Sequence, residues 1–238
     1  MTPALTLPLT GGLTALARRA APLASGGFLV LDNDLRLSAW GRGWMASWTG
    51  APNRSLTERT LALARKTLEA LGSYKDRLPA LALEGGTLLA GGRPLGPAWP
   101  VPPEKALPED YPREAGSPLA FFLWELSASQ ASLLARLNAK EEVALEPAPS
   151  RLQASGEGWS LPAGGPPSRP TALAAAVREG PTRGPFPVGR GLLKVLDEGP
   201  LLVALQETES ARLLYLMGED TTLTLWRSAA SQGALEAA

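Results

Sequence analysis

The chain has 238 residues, with 23 Lys and Arg against 23 Asp and Glu, so its formal charge is zero and its pI about 6.4. It contains no His and no Cys. That removes disulfides, thiolate nucleophiles, zinc–thiolate and iron–sulfur sites, imidazole bases and Ser-His-Asp triads. A carboxylate-only Mg²⁺ or Ca²⁺ site, or a carboxylate-pair hydrolase, stays open on residue types alone. Hydrophobic residues make up 45% of the chain, enough for a core, while 25 Gly and 23 Pro favour many turns and short elements. Arg outnumbers Lys 18 to 5, a bias that fits a GC-rich genome or a thermophile. There is no apolar run of about 18 residues, so no transmembrane helix or membrane partner is expected. The start, MTPALTLPLTGG, lacks the basic and apolar regions of a signal peptide, and a cytoplasmic location is the default expectation.

In chain order, ALTLPL (4–9) reads as a strand. Thr10 then caps a helix whose apolar face is Leu13, Leu16, Ala17 and Ala20. GFLVLD (27–32) and DLRLSAW (34–40) form a hairpin about Asp32-Asn33-Asp34, followed by the alternating strand GWMASWTG (43–50). The periodicity predicts a second helix capped by Thr57, with Leu61, Ala64, Leu68 and Leu71 inward and Gly72 as its stop. Strands over 78–101 follow, joined by turns at Gly85-Gly86 and Gly91-Gly92. AFFLWEL (120–126) is a strand, and Ser127 caps a third helix with Leu133, Leu134 and Leu137 on one face. LPAGGPPSRP (161–170) reads as a loop, Gly189–Gly199 as a fourth helix, and 200–226 as three strands. The last residues form an Ala-rich tail.

The order of elements repeats. Each half reads strand, helix, several strands, helix, three strands, and LTGGLTAL and LSASQASL lie about 117 residues apart. The Pro-rich, charged stretch 101–118 lies between the halves. The fold class is α+β: two similar domains, each of antiparallel sheets with two helices on one face. The expected divisions are 1–104 for the first domain, 105–118 for the connector, 119–228 for the second domain and 229–238 for the tail.

Three phrases resemble the DNA sliding clamps, ring-shaped polymerase processivity factors. ALALEGGTLLAGGRPLGPAWPVPPEKALPEDYP, with Leu107-Pro108-Glu109-Asp110-Tyr111-Pro112, is similar to the end of the first domain of the bacterial polymerase III beta subunit. FLWELSASQASLLARL resembles the first strand and helix of a clamp domain. PFPVGRGLLKVLDEGPLLVAL followed by ARLLYLMGEDTTLTLWR resembles its last half-domain. Bacterial beta clamps have three domains per subunit, whereas this length has room for two, the arrangement of archaeal, eukaryotic and some phage clamps that close as trimers. Leu225-Trp226-Arg227 stands where the bacterial phrase ends in Met-Pro-x-Arg. A divergent phage or plasmid clamp fits these features.

The resemblance implies a non-enzymatic homotrimer without a cofactor. It would encircle double-stranded DNA without reading sequence, and it would serve DNA replication with a DNA polymerase and a clamp loader as partners. The DNA-facing candidates are Arg18, Arg19, Arg59, Lys66, Arg190 and Lys194, which helical spacing sets away from the apolar faces, and Arg136, which it sets laterally on the third helix. A second reading is that any amphipathic helix carries Lys and Arg on its wet face, and Asp197 and Glu198 stand on the same predicted fourth helix. The resemblance also implies a partner-peptide groove beside the connector, at Leu107, Tyr111, Pro112, Leu225 and Trp226; ordinary linker packing is the alternative. Subunit contact through sheet edges falls on 95–101 and 171–179. Pro94, Pro97 and Pro100 argue against pairing at the first of these and leave a weak ring or a monomeric processivity factor open. A clamp-like structural or virion protein without a DNA role is a further alternative. Trp40, Trp44 and Trp48 read as core or sheet-surface aromatics. The acidic pairs Glu109-Asp110, Glu141-Glu142, Asp197-Glu198 and Glu219-Asp220 read as solvated charges.

Overall fold

The computed structural model describes residues 11–31, 34–52, 59–74, 80–113, 116–169, 171–180 and 182–228. Thr10, Thr57 and the 4–9 strand lie outside them. The chain divides into two compact units, Met1–Glu109 and Asp110–Ala238.

The first unit runs α1 (Gly11–Ala20), β1 (Gly26–Leu31), β2 (Asp34–Gly41), β3 (Trp44–Pro52), β4 (Arg59–Ala64), α2 (Arg65–Gly72), β5 (Leu81–Glu84), β6 (Thr87–Ala90) and β7 (Arg93–Val101). Its strands are antiparallel in the order β5-β6-β7-β4-β1-β2-β3. The turns β5–β6 and β6–β7 place Gly85, Gly86, Gly91 and Gly92 all at positive φ, the mirror-image turn that matches strand twist. One sheet face, with Leu29, Leu37, Ala46, Trp48, Leu61, Leu63 and Ala98 buried, packs on the helices. Leu68 of α2 fills the space that Gly27 leaves open on β1.

Two expectations fail in this unit. The predicted second helix is helical only from Arg65, and Arg59–Ala64 is strand β4. Leu61, Ala64 and Leu68 fit a helical period, but Leu61 and Leu63 also alternate with Thr60 and Ala62. Pairing with β1 on one side and β7 on the other selects the strand. Nor is 95–101 the outer strand of its array, since β7 stands between β6 and β4 in the order. β7 pairs with β6 through Arg93–Pro97 and with β4 through Ala98–Val101.

The second unit runs β8 (Ala120–Leu126), α3 (Ala128–Asn138), β9 (Val143–Ala148), β10 (Arg151–Gly156), β11 (Trp159–Gly164), β12 (Phe186–Val188), β13 (Leu201–Glu207), β14 (Ala211–Met217) and β15 (Thr221–Ser228). β15-β14-β13-β8 form one antiparallel array and β11-β10-β9-β12 a four-stranded sheet. Ser127 caps α3 with a full capping box: Gln130 N–H donates to Ser127 Oγ, and Ser127 N–H donates to Gln130 Oε1 at 2.8 Å. Phe122, Trp124 and Leu205 lie on the buried face of β8 and β13, and Trp124 Nε1 donates to the Ala148 carbonyl of β9 at 2.9 Å.

The predicted fourth helix is a 3₁₀ turn, Leu192–Val195. Gly191 enters it in the left-handed region at φ 79°, and Leu196 is already extended, so the apolar residues spend one turn on burial and stop. On α3, Leu134 is buried but Leu133 is 47% exposed, against the predicted face. The loop expected over 161–170 begins as the end of β11. The predicted edge strand 171–179 is a 3₁₀ turn, Ala172–Ala176, followed by a bridge from Arg178 to Phe121 of β8. With these corrections both units follow one plan of antiparallel strands with helical segments against one sheet face. Among the described residues no helix is long and apolar enough to cross a membrane.

Candidate nucleic-acid and partner surfaces

In the first unit, α1 ends in Arg18 and Arg19, cations at the negative end of a helix dipole. Arg18 is exposed, but its guanidinium is engaged. Nε donates to the Gly72 carbonyl at 3.0 Å and Nη2 to the Tyr74 carbonyl at 3.2 Å. These bonds satisfy carbonyls at the end of α2, where α1 and α2 cross so closely that a Cβ on Gly72 would meet the Arg18 backbone at 2.7 Å. Arg19 is half-buried. Lys66 is exposed on the first turn of α2, next to Arg65, whose Nε pairs with Glu69 at 3.0 Å. Arg59 is the first residue of β4 and not a helix residue; its side chain lies outside the described residues.

In the second unit, Arg136 is exposed in the last turn of α3, with Lys140 just beyond. Arg190 Nε donates to the Ala139 carbonyl at 3.3 Å, and Lys194 is exposed on the 3₁₀ turn. Neither stands on an α-helix. The organiser of this corner is Asn138, fully buried at the end of α3. Its amide donates to the carbonyls of Val188 and Gly189, each at 3.1 Å, and its oxygen accepts from Leu193 N–H at 3.0 Å. Asn138 thereby docks the 3₁₀ turn against α3 and brings Arg136 and Arg190 to one corner. Its long-range partners lie some fifty positions away, so no local pattern announces it.

The partner-groove candidates separate. Tyr111 packs edge-on against Trp226, ring centroids 5.1 Å apart, and Pro112 is half-buried beside it in sequence. Tyr215, bonded to the Tyr111 hydroxyl, has its phenol pushed up to about 12, mainly by burial. Leu225 does not share this surface. Adjacent residues of a strand point to opposite faces, and Leu225 is buried opposite Leu214 while Trp226 stands opposite Leu213. Leu107 belongs to the first unit and is half-buried there.

The aromatic reading fits the structure: Trp44 and Trp48 are buried on β3, and Trp40 stacks on Phe28 at 5.9 Å. Among the acidic pairs, Glu141 is not merely solvated. It accepts from Trp159 Nε1 at 2.6 Å and from Glu157 N–H at 2.8 Å, which hold its carboxyl below the usual range. Among the described residues no group of three or more acidic side chains is placed to hold a metal ion.

No protein-family model matches the chain, and no curated protein matches it by sequence. Solved structures do match its fold. A Helicobacter pylori beta clamp bound to a DNA ligase peptide superposes with a TM-score of 0.59 at 10% identity, over 93% of this chain and 64% of that one. The DNA polymerase III subunit beta of Pseudomonas aeruginosa gives 0.58 at 14% identity, over 94% and 64%. The Thermotoga maritima beta subunit gives 0.53 at 13% identity, over 94% and 63%. The fold is that of the DNA sliding clamps, and the chain spans less than two thirds of the length of these three.

Proposed function

We propose that the protein is a DNA sliding clamp, a non-enzymatic tether that encircles duplex DNA and holds a polymerase on it. The observation that carries this reading is the duplicated element order, matched to bacterial clamps over more than nine-tenths of the chain. Exposed cations at Lys66 in the first unit, and at Arg136 and Lys194 in the second, support a backbone-directed electrostatic hold that needs no base contacts. Two domains per chain correspond to a trimer when six domains close a ring. The domains run 1–104 and 119–228 with a connector between them, and a polymerase and a clamp loader are the partners. Tyr111 and Pro112, half-buried, with Tyr111 packed on the buried Trp226, are the remaining candidates for their peptides.

The test is light scattering across a dilution series, with retention of the protein on nicked circular DNA and its loss when the circle is linearised. A chain that stays monomeric and is never retained on the circle overturns the reading. One observation favours the alternative of a clamp-fold structural protein without a DNA role. Arg18 and Arg190 bond backbone carbonyls and Arg65 pairs with Glu69, which leaves fewer cations for phosphate. Reversing Lys66, Arg136 and Lys194 together separates the two. A tether loses retention on the circle and polymerase processivity; a structural protein loses neither.

A further inference from the structure

The second unit carries a cleft of about 440 Å³ where β13 begins and β14 ends, and neither Tyr111 nor Trp226 lines it. Its apolar lining includes Pro167, Leu202 and Met217, all half-buried. Leu202 and Met217 are directly paired across β13 and β14 and so lie side by side on one sheet face.

Both walls are pinned. Glu125, at the end of β8, accepts from Ser168 N–H and from Ser168 Oγ, each at 2.7 Å, and so ties the loop that carries Pro167 and Arg169 to the sheet. On the other side, Asp197 accepts from Asp220 N–H at 3.2 Å and joins the turn before β13 to the turn before β15. The cleft is thus preformed, as binding sites generally are.

Its charge is one-sided. Glu125, Asp197, Glu198 and Glu219 line it, and Arg169 is the single basic side chain among them. The bonds from Ser168 hold the Glu125 carboxyl below its ordinary range, so it is ionised at neutral pH. Such a rim repels nucleic acid and attracts cations, while the paired Leu202 and Met217 offer an apolar seat.

We infer that this cleft docks a peptide of a partner protein in which a Lys or Arg stands next to a large apolar residue. The apolar side chain sits on Leu202 and Met217, and the cation reaches Glu198 and Glu219. Because charge complementarity guides the encounter, binding weakens with added salt. The inference does not depend on DNA tethering and can fail separately from it.

The experiment is panning of a phage-displayed random heptapeptide library against the full-length protein. Enriched peptides are then synthesised with a fluorophore and titrated by anisotropy. The expected peptides carry Lys or Arg within two positions of a Leu, Met or aromatic residue. Their affinity falls at least tenfold on the E198K/E219K double variant and on Met217→Glu, with thermal melts near that of the parent protein. Replacing the peptide's cation by Glu abolishes binding to the parent and restores it on E198K/E219K. Enrichment of acidic or uncharged peptides, no enrichment at all, or binding unaffected by both variants overturns the inference. A peptide lost only on Trp226→Ala also overturns it, since Trp226 does not line the cleft.

Discussion

The two halves share their wiring and differ in how it is closed. β3-β2-β1-β4 in the first unit corresponds strand for strand to β11-β10-β9-β12 in the second, and β5-β6-β7 to β13-β14-β15. In the first, β4 pairs with β7 and merges the two groups into one sheet order, with α1 and α2 crossing tightly over it. In the second, β12 and β15 belong to different arrays, and a 3₁₀ turn stands where α2 stands in the first. A side chain on the neighbouring strand β14 makes a different link. Arg212, fully buried on β14, donates to Glu207 at 2.9 Å and to the carbonyls of Arg183, Gly184 and Pro185, and lies over the Phe186 ring at 5.3 Å. Its guanidinium thus fastens β14 to the segment that leads into β12. The second unit thus lacks the ladder and carries a buried side-chain link one strand away from where the ladder would be.

The largest expected effect tests that side-chain link. Arg212→Ala leaves Glu207 buried without its cation and should destabilise the second unit by about 3–5 kcal/mol, read from chemical denaturation. A loss below about 1 kcal/mol would show that the joint is held elsewhere.

Next comes a matched pair. Asn138→Ala strips four backbone groups of a partner and should cost about 1–3 kcal/mol. Gly72→Ala forces a Cβ into the Arg18 backbone and should cost a similar, about 1–3 kcal/mol, through overpacking. Hydrogen exchange should place the first loss among second-unit amides and the second among those of α1 and α2. A reversed or uniform pattern would mean that the units do not respond separately.

The smallest effect is a pH dependence confined to the second unit. Tyr215 keeps its proton to about 12 when folded and releases it near 10 when unfolded. The folded state therefore holds more protons between those values, and stability falls as pH rises through them. Tyr215→Phe should flatten that alkaline decline in urea midpoints, and an unchanged slope would remove Tyr215 as its cause.

What the sequence made legible was local. Paired glycines marked the β5–β7 meander, and Ser127 with Gln130 marked the start of α3, because these signals act within a few residues. Arg59–Ala64 was misread because Leu-Ala alternation fits both periods and the choice lies with β1 and β7. Leu192–Val195 had helical spacing but too few residues between Gly191 and the chain's turn to β13. Arg212 and Asn138 carry no signal at all, since their meaning lies in carbonyls from distant segments. The basic candidates were legible as residues but not as contacts: spacing put Arg18 on the wet face of α1 and could not show that it bonds the end of α2. Leu225 and Trp226 part for a simpler reason, since consecutive residues of a strand point to opposite faces.

β7 carries a consequence for misfolding. Ala98 is fully buried against the helices, while Trp99 beside it is 48% exposed. A slip of one residue would drive an indole into a space sized for a methyl group and leave the methyl in solvent. Pro94, Pro97 and Pro100 lack N–H donors, so other alignments would also set prolines opposite unanswered carbonyls. The strand that proline seemed to exclude from pairing is instead one that tolerates a single set of neighbours, and it is a poor template for aggregation with other chains.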